Sequence, residues 1–319
     1  MTLTRRLAYL ALFLAYAQIV FGAIVRITDS GMGCGDHWPK CNGLWLPPLD
    51  DTELIIEITH RWIAAGLLVA TLALVAVAYA QRHRAGIGGR GGVLRIASAA
   101  AALWLAPAIL GAVTVWLELP PLVVVVHLAL AMALLGVLTV TVIRAGGFGA
   151  MAARRDTVDS ARSALAAAAL AFVVVIMGGF TANVPGAAPA CQGFPLCNGR
   201  VIAEGAAQTI HWAHRLLAFV LTLHVLGMVM AARKRESGAV RRATIVLFSV
   251  ILVQILVAAI LVSTHLPREL QSLHQALGTL IWLSAVVRAG LSGMGAEGAK
   301  NSAPSAFSAS SASSALSAP

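Results

Sequence analysis

Eight stretches of about 20 apolar residues, near 7–27, 54–80, 95–116, 121–143, 163–183, 207–231, 243–264 and 269–289, leave this 319-residue chain few folds to choose from. Each is long enough to cross a hydrocarbon layer of about 30 Å as a helix. That layer holds no water to take up backbone N–H and C=O groups, so every stretch must satisfy them within itself, and the α-helix does so. The sequence therefore predicts an all-α integral membrane protein with eight transmembrane helices. Hydrophobic residues at 59%, charged residues at 11% and a mean hydropathy of +0.85 exclude a water-soluble domain of this length. The tightest connections fall at Glu118-Leu119-Pro120-Pro121 and Thr264-His265-Leu266-Pro267-Arg268, between the third and fourth and the seventh and eighth helices.

Basic residues sort the helix ends into two sides. Arg5, Arg6, Arg82, Arg84, Arg90, Arg95, Arg144, Arg154, Arg155, Arg162, Arg233, Lys234, Arg235, Arg241, Arg242, Arg288 and Lys300 share one side. The other side holds only Arg26, Lys40, Arg61, Arg200, Arg215 and Arg268, with most of the acids, among them Asp29, Asp36, Asp50, Asp51 and Glu53. Short cytoplasmic loops retain Lys and Arg, so the first side reads as cytoplasm and the topology as N-in and C-in. The net charge of +10 is then a topology signal and not a nucleic-acid surface. The first run follows two arginines as a signal peptide would, but its length and the lack of a small-residue cleavage site argue that it stays. The segment 291–319 is rich in Ser, Ala and Gly and reads as a disordered cytoplasmic tail.

The two halves of the chain repeat one another. Ile56-Glu57-Ile58-Thr59-His60-Arg61 and Ile210-His211-Trp212-Ala213-His214-Arg215 each open an apolar run, and a later run in each half carries one more histidine, His127 in VHLAL and His274 in LHQAL. With four helices per half, the halves enter the membrane in the same sense, related by a pseudo-two-fold axis along its normal. The expected division is a half over 1–150, a half over 151–290, and the tail. Within each four-helix half the second and fourth helices run in the same direction, and their histidines lie roughly 9 Å inside the outer edge at 1.5 Å per residue. Matched depth is what a flat ring ligated from both faces requires, so the pairs His60 with His127 and His214 with His274 read as axial ligands of two haems. A single histidine in an apolar helix is as readily a satisfied core residue; four at matched positions mark a site, because polar and ionisable side chains are costly there. His37, His83, His224 and His265 have no such partners.

The four cysteines lie on the outer side, in Cys34-Gly-Asp-His-Trp-Pro-Lys-Cys41-Asn-Gly and Cys191-Gln-Gly-Phe-Pro-Leu-Cys197-Asn-Gly. Four cysteines allow three connectivities, and the matched loops favour Cys34 with Cys41 and Cys191 with Cys197. Such bridges persist outside the cytoplasm. They read as staples that shape loops over a membrane site, with a redox-active pair as the sharper alternative; neither spacing resembles a zinc knuckle. Arg61 and Arg215 follow their histidines directly and read either as snorkelling residues or as partners of haem propionates, which a guanidinium fork recognises. Glu57 sits on the same helix face as His60, where the second half has His211. A carboxylate at one site and an imidazole at the other suggest different work in the two halves, although a carboxylate is also favoured at a helix N-terminus for its dipole alone.

These residues resemble the haem A synthase family. The resemblance spans about residues 5–290 and rests on Gly22-Ala-Ile-Val-Arg-Ile-Thr-Asp-Ser-Gly31, Trp38-Pro-Lys-Cys-Asn-Gly43, Glu57-Ile-Thr-His-Arg61, His127, His211-Trp-Ala-His-Arg215 and His274. It implies a membrane-embedded oxidoreductase that converts the C8 methyl of haem O to a formyl group by two successive hydroxylations, giving haem A for cytochrome oxidase assembly. It further implies a bacterial plasma membrane, a substrate site in the first half with His60, His127 and Glu57 as a catalytic group, and a haem b cofactor held by His214 and His274. A haem O synthase is the partner implied by the pathway. The residues fit that division: oxidising a C–H bond needs an electron sink, and the chain has no P-loop segment, while its Gly-x-Gly-x-x-Gly matches, Gly86–Gly91 and Gly293–Gly298, each follow an apolar membrane run and not the strand of a dinucleotide-binding unit. A dihaem electron-transfer cytochrome b and a transporter built from parallel repeats are the alternatives from other classes; a cytochrome would place its haems at two depths.

Overall fold

The computed structural model describes residues 2–150, 158–235 and 238–300. Its eight helices are α1 (Leu3–Ile27), α2 (Thr52–Ala80), α3 (Val93–Trp116), α4 (Pro121–Arg144), α5 (Val158–Asn183), α6 (Gly205–Arg235), α7 (Gly238–Ser263) and α8 (Arg268–Lys300). All eight contain a segment long and apolar enough to span a membrane. The chain is a multi-pass membrane protein. Helix α8 continues to Lys300, nine residues past the expected start of the tail at 291. It does so because Leu291 and Ser292 are still buried against the bundle and Ser292 bonds Arg288. Arg154 and Arg155 and the tail residues 301–319 lie outside the described residues.

Local sequence sets the helix ends. Thr2 and Asp51 cap α1 and α2 by accepting from the backbone N–H of Arg5 and Glu53. Glu118 and Leu119, and in the matching turn His265 and Leu266, adopt left-handed φ of 56–63°. In each turn a backbone N–H reaches back five residues, Leu119 to the Thr114 carbonyl at 2.8 Å and Leu266 to the Leu261 carbonyl at 2.9 Å. This closes the helix as a Schellman cap does. Pro120–Pro121 and Pro267 then start the next helix, for which their fixed φ is suited.

Each half is a closed ring of four helices. In the first, α1 packs on α2 and α4 while α3 packs on α2 and α4; in the second, α5 packs on α6 and α8 while α7 packs on α6 and α8. The rings join where α4 and α8 meet, with α1 against α8 and α4 against α5. Without water to drive apolar groups together, membrane helices associate through close packing and interhelical hydrogen bonds. Buried alanines supply the first, Ala8, Ala11 and Ala15 on α1 and Ala164, Ala167, Ala168 and Ala171 on α5. Across the seam, Tyr16 Oη donates to the Ala276 carbonyl at 3.0 Å, Trp282 Nε1 to Met132 at 2.8 Å and Arg26 to Ala182 at 3.2 Å. Arg288, counted above with the basic residues of the inner side, is not solvated there. It is 1% exposed and bonds Thr244, Ser160 and Ser292.

Candidate functional site

The disulfide loops form lids over the same end of the two rings, where α1 joins α2 and α5 joins α6. Cys34 is bonded to Cys41 and Cys191 to Cys197. After each second cysteine comes an Asn-Gly pair with positive φ at both residues, 49° and 81° at Asn42-Gly43, 52° and 76° at Asn198-Gly199. That pair makes the tight reverse turn of a two-residue hairpin, closed by paired bonds between Cys41 and Leu44 and between Cys197 and Arg200. The repeated Cys-Asn-Gly is thus a folding signal for the lid.

Each lid is clamped by the helix beneath it. Arg61 donates through Nη1 to the carbonyls of His37 at 2.8 Å and Lys40 at 2.7 Å. Arg215 donates to the carbonyls of Gly193 and Leu196 at 2.9 Å and of Cys191 at 2.7 Å. The two arginines are therefore committed to loop carbonyls, where the sequence suggested propionate contacts or snorkelling. Glu57, 4% exposed, belongs to the same clamp: Oε2 accepts from the Cys34 N–H at 2.7 Å and Oε1 pairs with Arg61. His211, its counterpart, holds the other lid through Nδ1 to the Ala187 carbonyl at 3.1 Å.

Below the lids lie the four histidines, all in ring interiors. His60, on α2, rests on Gly22 of α1, where an added Cβ would meet its Cε1 at 3.0 Å. His214, on α6, rests in the same way on Gly178 of α5, also at 3.0 Å, and His127 on Gly111 of α3 at 3.3 Å. Any larger residue at these places would have to displace the imidazole by a few tenths of an ångström or more. His214 donates or accepts through Nδ1 at 3.0 Å from the Val174 carbonyl; since a carbonyl only accepts, Nδ1 carries the proton and Nε2 keeps a free lone pair. His60 Nε2 lies 3.1 Å from the side-chain nitrogen of Gln18, and His274 Nε2 lies 3.3 Å from that of Gln254. The Nδ1 atoms of His60 and His274 and the amide oxygens of Gln18 and Gln254 are buried without hydrogen-bond partners, while the Pro107 carbonyl faces His127.

The His214 and His274 rings have centroids 6.4 Å apart. Two metal–imidazole bonds of about 2 Å each, plus about 1.1 Å from each nitrogen to its ring centre, amount to a little over 6 Å. The observed centroid spacing is close to that sum. His60 and His127 face the interior of the first ring from α2 and α4, over Gly22 and Gly111. Beside the first lid opens a cavity of about 430 Å³ lined by Asp36, His37, Trp38, Pro39, Lys40, Gly43 and Trp116. A separate cavity of about 70 Å³ lies in the second half beside Ala188, Cys191, Gln192 and His265. Of the other unpaired histidines, His224 bonds the Ser163 carbonyl at 3.0 Å on the inner half of α6.

Sequence reading missed Gln18, Gln254 and the three glycines. A lone amide in an apolar run is itself a signal of the kind that marked the histidines. The glycines give none, because their need is set by a ring on another helix.

A family model described as cytochrome oxidase assembly protein, COX15-CtaA, matches residues 5–286. A protein of Symbiobacterium thermophilum named Heme A synthase is 30% identical over 276 residues, covering 83% of this chain and 87% of that protein. Proteins of the same name from Exiguobacterium sp. and Bacillus cereus are each 27% identical, over 259 and 267 residues, covering 79% of this chain and 81% of theirs.

Proposed function

The chain belongs to the COX15-CtaA family of cytochrome oxidase assembly proteins, and we propose that it is a haem A synthase that oxidises the C8 methyl of haem O to a formyl group by two successive hydroxylations. The observation that carries this reading is the two matched pairs of half-buried histidines, one with ring centroids 6.4 Å apart, close to the spacing of a shared iron. The names of the relatives supply the reaction.

The second half is the cofactor site, with His214 and His274 as ligands of haem b. Its His214 is fixed by Val174 in the tautomer that ligation needs. When bound, such a group supplies a one-electron carrier beside the first site. The first half is the substrate site. Its lid borders an open cavity of about 430 Å³, suited to a haem that must come and go. There His60 and His127 hold haem O, and Glu57, one turn from His60, is the group placed to take up protons released as the methyl is oxidised. Its two oxygens already hold the lid and Arg61, so that role would couple proton uptake to the lid. Arg61 and Arg215 act first as lid clamps, and a propionate would share their forks with the loop carbonyls.

The asymmetry of basic residues supports a position of the lids outside a bacterial plasma membrane, where disulfides persist. A haem O synthase is the partner that must supply the substrate. The test is to express the chain with and without a haem O source and separate extracted haems by chromatography. Haem A that depends on both the chain and haem O supports the reading. Bound haem with no conversion would leave an electron-transfer cytochrome, and no bound haem would leave a transporter.

A further inference from the structure

The two repeats differ in what touches the iron-facing nitrogens of their histidines. An amide nitrogen only donates, so the contact from Gln18 at 3.1 Å makes His60 Nε2 the acceptor, its lone pair occupied. Gln254 does the same to His274 at 3.3 Å, while also donating to the His274 carbonyl at 3.0 Å. Iron needs the lone pair of one ring nitrogen, and amide and metal then compete for it.

These amides are not related by the repeat. Gln18 stands four residues before Gly22, and the residue four before Gly178 is Val174, whose carbonyl fixes His214 from Nδ1. Gln254 stands twenty residues before His274, and twenty before His127 is Pro107, which has no amide to offer. Each half thus keeps one glutamine, set against opposite histidines of its pair. The amide oxygens of both are buried and unpaired, so neither glutamine is locked in its contact and each gives way to a stronger competitor.

Resting on the haem-site reading above, we propose that Gln18 and Gln254 are positioning residues that each hold back one axial histidine, leaving one firm and one yielding ligand per site. The firm ligands are His127 in the first site and His214 in the second; the yielding ones are His60 and His274. In the first site the yielding ligand lets haem O enter and haem A leave without both axial bonds having to break unaided. Strict repeat symmetry would instead pair His60 with His214 in behaviour.

The experiment uses the full chain, loaded with haem b in the second site and haem O in the first. Release of each haem to excess apomyoglobin is followed by chromatography, and the low-spin fraction by electron paramagnetic resonance. Gln18→Met, which keeps the length and removes the donor, should slow haem O release about fivefold to tenfold, the factor one neutral hydrogen bond is worth. It should raise the low-spin fraction and leave haem b release unchanged. Gln254→Met should do the converse, so each variant controls for the fold of the other. If Gln18→Met fails to fold, Gln18→Asn, whose shorter arm draws the amide back from the ring, should slow release in the same direction. His60→Ala should weaken haem O binding less than His127→Ala, and His274→Ala should weaken haem b less than His214→Ala. Unchanged release and spin state in the glutamine variants, with the histidine variants still losing haem, would overturn the proposal while leaving the haem sites standing. Histidine variants that keep both haems unaltered would overturn the haem-site reading itself.

Discussion

Glu57 holds the lid and, in our reading, also takes protons, and Glu57→Gln separates the two roles. An amide in its place still accepts from the Cys34 N–H through its oxygen, but turns an NH2 group toward Arg61 where a carboxylate oxygen had been. Losing one charge-assisted hydrogen bond costs about 1.5–3 kcal/mol. At 1.4 kcal/mol per factor of ten, lid opening should rise about tenfold to hundredfold. Loss of a general base lowers the rate by a further 10²–10⁴ or so. Arg61→Gln supplies the comparison, because it breaks the same ion pair and the contacts to His37 and Lys40 yet leaves the carboxylate. Hydrogen exchange over residues 34–44 measures lid opening in both variants, and chromatography of extracted haems measures haem A and the singly hydroxylated intermediate. We expect the lid to loosen at least as much in Arg61→Gln, and haem A to fall much further in Glu57→Gln. Build-up of the singly hydroxylated haem would place Glu57 in the second oxidation. If haem A falls in both variants only in proportion to lid opening, Glu57 is a clamp and no more.

Replacing His214 or His274 by Ala should remove most haem b from the purified protein, whereas replacing His60 or His127 should leave it, as read from the pyridine haemochrome; the reverse pattern would exchange the roles of the halves. Non-reduced peptide mass spectrometry should find Cys34 linked to Cys41 and Cys191 to Cys197, and Cys34→Ser with Cys41→Ser should loosen the first lid by about 2 kcal/mol for so short a loop, seen as faster exchange over 34–44. Gly178→Val should displace His214 and lower haem b content without unfolding the helices, since its Cβ would stand 3.0 Å from Cε1; normal haem b content with an unshifted spectrum would show that the glycine is not needed for the ring. Gly33→Ala should lower thermal stability of the whole chain, because a Cβ there would lie 2.5 Å from the Glu53 backbone, which has no side-chain freedom to yield; an unchanged melting temperature would contradict that packing.

The eight helices were legible because a bilayer reduces the folding problem to finding apolar runs. Their ends were less so. Helix α5 begins at Val158 and α7 at Gly238, each five residues before the apolar run suggests, and α8 outlasts its run by about three turns. A helix need not stop at the edge of the hydrocarbon, and α8 continues because Gly290 lets it approach Ile143 while Leu291 stays buried. The histidines were legible as polar groups in apolar surroundings, and their pairing followed from the repeat. The partners of Arg61, Arg215 and Glu57 were not. All three bond loop backbone, and which carbonyl or N–H comes within reach depends on the path of a loop that sequence spacing does not describe.

The repeat separates what supports a site from what tunes it. Residues that the halves share build the support: Gly22 and Gly178 make room for a ring, Arg61 and Arg215 clamp a lid, and Cys-Asn-Gly turns each lid back on itself. Three departures from the repeat, Glu57 against His211, Gln18 against Val174 and Pro107 against Gln254, lie on a lid contact or beside a histidine ring. None of them is needed to form a four-helix ring, because the partner half forms one with the other residue. Two halves of one architecture can therefore hold similar rings in different states of ligation and protonation, one for a group that stays and one for a group that is transformed and released. By that argument, exchanging Gln18 for Val, the residue its own partner half uses, should free His60 and lengthen haem retention at the first site. Raising retention there without lowering haem A output would break the link between exchange and turnover on which the division of labour rests.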